Sequence, residues 1–103
     1  MCGICGFVHP NENNPVDESL LRRMCTIIAH RGPDDEGFYT DERAGLGMRR
    51  LSIIDLVTGN QPVANEDESL GLVFNGEIYN YLALHAELER KGHRFATRSD
   101  TEV

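Results

Sequence analysis

Residues 2–8, Cys-Gly-Ile-Cys-Gly-Phe-Val, make a nearly continuous apolar run next to the first residue of the sequence. The run is too short and too rich in glycine for a helix, and brief unbroken apolar segments of this kind read as buried strands. A chain with such a run at its start is expected to hold its N-terminus inside the fold. Whatever chemistry residue 2 carries is then presented from within.

The elements that must pack around this strand follow from spacing and punctuation. Residues 9–14, closing at Pro15, are turn-forming. Leu20, Leu21, Met24, Ile27 and Ile28 recur at helical intervals and predict a helix over residues 16–30, with Asn14 or Asp17 as its cap. Residues 31–37 are rich in Gly, Pro and Asp and read as an ordered loop. Strands are expected over 37–40, 44–48 and 51–55. A turn at 58–62 and a strand at 70–74 come next, the latter running straight into Asn75-Gly76, a dipeptide suited to a tight turn. A second helix is expected over 80–91, with Gly92 ending it and Glu87/Lys91 paired one turn apart. Residues 94–97 make a last strand, followed by Asp100. Hairpin-like strands mixed with two helices describe an α+β domain with mostly antiparallel sheets, not a βαβ repeat.

At 103 residues the chain is at most one ordinary domain. Its 40% hydrophobic and 26% charged content is that of a globular protein. No apolar run approaches the roughly 18 residues needed to span a bilayer, and residues 1–10 lack the basic start and apolar core of a secretory signal. No membrane association is expected, and the cytoplasm is the default compartment. A formal net charge of −7 argues against nucleic acid, which is bound through clustered Lys and Arg; Arg49-Arg50 is too small a patch. Three cysteines is an odd count, too few for a disulfide scaffold, so reduced thiols are expected.

Cys2 follows the initiator Met1, which aminopeptidases remove before small side chains, so the mature chain is expected to begin at Cys2. One residue would then carry a thiol and a free α-amine. An N-terminal amine titrates near ~7.7–8.0 and a free cysteine near ~8.5, so the amine can take the thiol proton and return it to a leaving group. A lone Cys near a chain start is ordinarily just a small apolar residue in a strand, and the case for chemistry depends on what accompanies it. Cys2-Gly3-Ile4-Cys5 is also a C-x-x-C. A zinc site would want a second such pair, and the nearby candidates His9, Cys25 and His30 are not paired at ligand spacing. A redox dithiol usually opens a helix rather than lying in a strand. Residue 6 is Gly, not His, which excludes c-type haem attachment.

Asn75-Gly76 places a side-chain amide and an exposed backbone N–H at one turn, the two donors an oxyanion hole needs. Arg50 offers a planar fork suited to a carboxylate, and Asp100 with Glu77 can receive an ammonium. A fixed cation and one or two fixed anions recognise an α-amino acid, although each charge alone reads as ordinary surface.

With these residues assembled, the chain resembles the start of a class II, N-terminal-nucleophile glutamine amidotransferase, and most closely the glutaminase domain of the asparagine synthetase family. The matching stretches are Met1-Cys2-Gly3-Ile4, Arg31-Gly32-Pro33-Asp34, Arg50-Leu51-Ser52-Ile53-Ile54-Asp55, Gln61-Pro62, Asn75-Gly76-Glu77-Ile78-Tyr79-Asn80 and Ser99-Asp100-Thr101-Glu102-Val103, in order along the whole chain. The resemblance implies hydrolysis of glutamine to glutamate and ammonia. Cys2 would be the nucleophile, and Asn75 and Gly76 would hold the oxyanion. Arg50 would bind the α-carboxylate, and Glu77 with Asp100 the α-ammonium. Backbone of Leu51, Ser52, Ile53 and Ile54 would line the pocket, and Arg31 would order the loop beside the nucleophile. The implied fold is a four-layer α/β/β/α sandwich that needs elements beyond residue 103, which makes residues 1–103 the N-terminal portion of the domain. The implied partners are glutamine and a synthetase domain that uses ammonia, ATP and Mg²⁺ to make asparagine from aspartate; a second copy of the chain is a further candidate. No cofactor or metal is expected within this segment, which has neither type of glycine-rich phosphate loop.

Two positions depart from the family pattern: Met48, where many relatives carry His, and Cys5, where a small apolar residue is common. Cys5 is expected to bring a second thiol near the nucleophile and sensitise Cys2 to oxidation. Three other readings stay open: an idle amidotransferase-like module used for contact or regulation, a redox or metal module built on Cys2 and Cys5, and a paralogue that aminates a substrate of a polysaccharide pathway.

Overall fold

The N-terminal run forms β1 (Gly3–Val8), which pairs antiparallel with β3 (Ala44–Arg50); β3 in turn pairs antiparallel with β2 (Asp35–Thr40), giving a three-stranded sheet ordered β1-β3-β2. The computed structural model describes residues 2–11, 16–51 and 59–103. Gly3 lies opposite Arg49 and Cys5 opposite Gly47, so the head of β1 meets the tail of β3. β1 is not buried on both faces as its composition implied. Its residues alternate, with Gly3 buried but Ile4 49% and Val8 71% exposed, because among the described residues one helix covers one face of the sheet.

That helix is α1 (Glu18–Ile27), shorter than the expected 16–30. Asp17 Oδ1 accepts the Leu20 N–H at 3.1 Å and starts it, and a 3₁₀ turn at Ala29–Arg31 ends it. Leu21 and Cys25, one turn apart, are the buried stripe, while Leu20 and Ile27 from the anticipated stripe are exposed. The shift follows from how close α1 lies to β3. A Cβ on Gly47 would overlap Cys25 Sγ and sit 2.9 Å from Cys5 Sγ, so the point of β3 beneath Cys25 has no room for a side chain. Arg22 stacks its guanidinium 4.5 Å from the Phe38 ring at the rim of the contact.

β2 and β3 are longer than their sequence suggested. β2 starts at Asp35, and β3 reaches Arg50, because the Asp34 N–H donates to the Arg50 carbonyl at 3.0 Å and Pro33 bridges to the same residue. The expected strand at 51–55 is not seen at Leu51, and residues 52–55 lie outside the described residues. The strand expected at 70–74 shrinks to β5 (Gly71–Leu72), paired with β4 (Val63–Ala64), which the sequence reading did not anticipate. The loop between them is closed by side chains: Asn65 Oδ1 accepts the Leu70 N–H, and Asp67 accepts both the hydroxyl and the N–H of Ser69, which hold its carboxyl below its usual range.

α2 (Tyr81–Arg90) matches its expected span to within a residue at each end. Gly92 follows it at φ +97°, a conformation suited to glycine, and Lys91 pairs with Glu87 at 2.9 Å. The strand expected at 94–97 is absent. The N–H groups of Ala96 and Thr97 donate to the Glu102 carboxylate, at 2.7 and 2.8 Å, so a side chain takes the place of a neighbouring strand. The architecture is α+β with antiparallel sheets.

Candidate active site

The register of β1 against β3 decides where Cys2 goes. With Gly3 opposite Arg49, the residue before Gly3 comes alongside Arg50 and Leu51. Cys2 Sγ accepts the Leu51 N–H at 3.2 Å and lies 3.5 Å from the Leu51 carbonyl, to which its S–H donates. At the other end of the residue, Arg31 Nε donates to the Cys2 carbonyl at 3.1 Å. The thiol and the backbone of Cys2 are thus held from two directions.

Pleating then sorts the two arginines at the end of β3 onto opposite faces. Arg49 pairs with Glu36 at 2.7 Å and donates to the Gly32 carbonyl at 3.0 Å, which is structural work. Arg50 turns the other way, is 5% exposed, and donates through Nη1 to Asn60 Oδ1 at 2.9 Å. Burial and the bond to Asn60 hold this planar guanidinium fork in one place, a geometry suited to a carboxylate.

The acidic side of the site comes from the 3₁₀ turn at Asp100–Glu102. Ser99 caps this turn, its hydroxyl accepting the Thr101 N–H at 3.2 Å. Asp100 is 5% exposed, and its Oδ2 accepts the Ile78 N–H at 2.8 Å. That bond ties the acid to the segment immediately after Asn75-Gly76-Glu77.

These groups converge. Cys2, Arg50, Leu51, Asn75, Gly76, Glu77 and Asp100 all line one solvent-connected cavity of about 270 Å³, just below the ~300–1,000 Å³ usual for ligand pockets and so suited to a small metabolite. Arg31 touches Cys2 from outside it. Ser52, Ile53 and Ile54 lie outside the described residues. Among the described residues the cavity is lined by a thiol, the Arg50 cation, the carboxylates of Glu77 and Asp100, and the donors of an Asn-Gly turn. That set can orient a small zwitterion and present its far end to a nucleophile.

Sequence reasoning missed part of the lining. Gly59, Phe74, Tyr79, Ser99, Thr101 and above all Gln61 also face the cavity. Gln61 stood out as half of a Gln-Pro turn and as part of a stretch matching the family, but neither signal gave it a place in the site. Cys5 also needs correction. Its thiol does not approach Cys2 but lies 3.3 Å from Cys25 Sγ beneath α1. Residues an odd number apart on a strand face opposite ways, so the thiols at 2 and 5 are separated by the sheet. Burial, reinforced by the bond to Cys5, pushes the Cys25 thiol up to about 12. Among the described residues no group of three or more His, Cys, Asp or Glu side chains could hold a metal ion, and no helix is long and apolar enough to cross a membrane.

Comparison with known proteins matches residues 1–103 to the glutamine amidotransferase domain. The chain is 51% identical over 105 aligned positions to glutamine-hydrolysing asparagine synthetase 1 of Bacillus subtilis (strain 168), and 45% identical to synthetase 2 of the same organism. It is 40% identical over 103 positions to glutamine-hydrolysing asparagine synthetase 3 of Arabidopsis thaliana. Each alignment covers 100% of this chain but only 17%, 14% and 18% of the respective relative, so the chain spans less than a fifth of their length.

Proposed function

The chain belongs to the glutamine amidotransferase domain family, and from that premise we propose that it forms the nucleophile-bearing part of a glutaminase whose ammonia passes to a synthetase domain. In this reading Met1 is removed and the freed α-amine of Cys2 takes the thiol proton. The sulfur attacks the side-chain amide carbon of glutamine, and the oxygen of the tetrahedral intermediate is held by the Asn75 amide and the Gly76 N–H. The intermediate collapses as the amine passes its proton to the departing nitrogen. Ammonia leaves, and a γ-glutamyl thioester remains on Cys2. Water, deprotonated by the same amine, cleaves the thioester and restores the thiol.

Arg50 takes the α-carboxylate, and Asp100 and Glu77 take the α-ammonium. Leu51 lines the pocket beside the nucleophile, and Arg31 keeps the Cys2 backbone in register. The single observation that carries this reading is the placement of the Cys2 thiol, by the Leu51 N–H, in the same cavity as buried Arg50 and buried Asp100.

The wider protein follows from the same proposal. Residues 1–103 form the N-terminal part of a four-layer α/β/β/α sandwich, and the sheet face carrying Ile4, Val8 and Tyr39 is the one a second sheet would cover; its apolar exposure supports that arrangement. A synthetase domain elsewhere in the protein uses ATP and Mg²⁺ to make asparagine from aspartate, in the cytoplasm.

The test is the intact mass of the protein before and after a glutamine-analogue electrophile, diazo-oxo-norleucine, with Cys2→Ala beside it. Loss of Met1 with one adduct on Cys2 is expected. A processed protein that takes no adduct, or a Cys2→Ala variant labelled equally, overturns the assignment.

A further inference from the structure

We propose that Gln61 is a positioning residue for the oxyanion turn, acting through the backbone of Phe74; the proposal rests on the glutaminase reading above and extends it. β5 ends at Leu72, so Phe74 has left the ladder before Asn75-Gly76 begins. Its N–H and carbonyl need other partners, since half-buried backbone groups left unpaired do not stay in place. One side chain supplies both. Gln61 Oε1 accepts the Phe74 N–H at 2.6 Å, and Gln61 Nε2 donates to the Phe74 carbonyl at 3.1 Å. An amide with one acceptor and one donor side by side reproduces the pairing of a neighbouring strand residue.

Two further contacts give this arm its consequence for the site. Nε2 also donates to Thr101 Oγ1 at 3.2 Å, joining the oxyanion turn to the 3₁₀ turn that carries Asp100. The Phe74 ring, fixed by the same backbone bonds, lies directly under Gly76: a Cβ there would sit 2.7 Å from Cζ. The other end of the arm is anchored on the sheet. The Gln61 backbone is seated against Gly37 of β2, with its carbonyl carbon 2.8 Å from where a Cβ would stand. Gln61 therefore transmits the position of a rigid strand to the donors that must meet the developing oxyanion. Neither binding charge is held by Gln61 directly: Arg50 donates to Asn60, and Asp100 keeps its own bond from the Ile78 N–H.

This division predicts a split between rate and binding. Deleting an oxyanion donor costs roughly 10²–10³ in kcat; releasing one from its position is expected to cost Gln61→Ala about ten- to a hundredfold in kcat, with KM for glutamine within about threefold. Gln61→Glu gives the sharper signature. Its carboxylate still accepts from Phe74 but cannot donate to the Phe74 carbonyl, whereas its protonated form can. The ratio of Gln61→Glu to wild-type kcat is therefore expected to rise several-fold as pH falls from about 7 to about 5, a range in which a carboxyl raised by partial burial gains its proton. Titrations shared by both proteins cancel in the ratio.

The experiment measures glutamine turnover and diazo-oxo-norleucine adduct per chain in the full-length protein, for wild type, Gln61→Ala and Gln61→Glu. Lowered kcat per labelled site together with the acid-dependent ratio supports the proposal. Activity loss wholly matched by loss of labelled sites, a raised KM with unchanged kcat, or a Gln61→Glu ratio flat with pH overturns it. If Gln61→Ala does not fold, the Gln61→Glu ratio decides alone. Wild-type protein that takes no adduct and releases no ammonia overturns the glutaminase reading itself, and this proposal with it.

Discussion

Gly37→Ala tests whether the packing of Gln61 on β2 is as tight as the structure shows. Gly37 pairs with Met48 across the sheet, and its open face meets the Gln61-Pro62 segment. An added methyl would overlap the Gln61 carbonyl oxygen, with the carbonyl carbon at 2.8 Å and Pro62 Cδ at 3.1 Å. Ordinary contact begins near 3.4 Å, so the carbon alone is too close by about 0.6 Å, and the colliding atoms are backbone and ring rather than the tip of a flexible side chain. Overpacking typically costs ~1–3 kcal/mol, and with no side chain free to turn aside the upper half of that range is expected. For a cooperative unit of about this length, 2 kcal/mol lowers the melting temperature by roughly 8–16 °C. Gly71→Ala is the control, because a Cβ there meets nothing within 4 Å; it should leave stability within about 1 kcal/mol of wild type. Thermal melting followed by circular dichroism reads both variants. A Gly37→Ala midpoint within about 2 °C of wild type, or a Gly71→Ala midpoint lowered as far, would refute the argument.

Two more outcomes follow from the site and the core. Cys25 stays protonated in the fold up to about 12 against an ordinary 9.0, so between those values the unfolded chain releases a proton that the folded chain keeps, and stability falls as pH rises through that window. Denaturation midpoints at pH 8 and pH 11 should drop more for wild type than for Cys25→Ala; equal drops would sink the assignment. Asp100→Asn keeps an oxygen to accept the Ile78 N–H but removes the charge offered to an ammonium. At ~1.5–3 kcal/mol for a hydrogen bond to a charged group, KM for glutamine should rise roughly ten- to a hundredfold with little change in melting temperature, and an unchanged KM would remove Asp100 from the substrate site.

How much of this was legible in the sequence depended on what satisfies the backbone. α2 and the core of α1 could be read because their own i→i−4 bonds and capping residues are local. The identities of Cys2, Arg50, Asn75, Gly76 and Asp100 could be read from their motifs, and their convergence only through the family resemblance, because it hangs on the pairing of Gly3 with Arg49 across 46 residues of sequence, which spacing alone does not reveal. The separation of Cys2 from Cys5 was available in principle, since three residues along a strand reverse the face.

The misreadings have a shared physical origin. Residues 70–74 and 94–97 carry strand composition, yet Phe74 is paired by the amide of Gln61, and Ala96 and Thr97 by the carboxylate of Glu102. Ile78 is likewise paired by Asp100. Periodicity cannot find such segments, because the partner is a single polar side chain that imposes no repeat on its neighbours. A ladder would have fixed residues 73–78 as flat strand, with alternate residues facing away from the cavity. Side-chain partners instead let Asn75, Gly76 and Glu77 follow one another along the same cavity wall. Local rules of sequence fail where the backbone must leave regular structure to present consecutive residues to one ligand, and here that failure coincides with the turn proposed to hold the oxyanion.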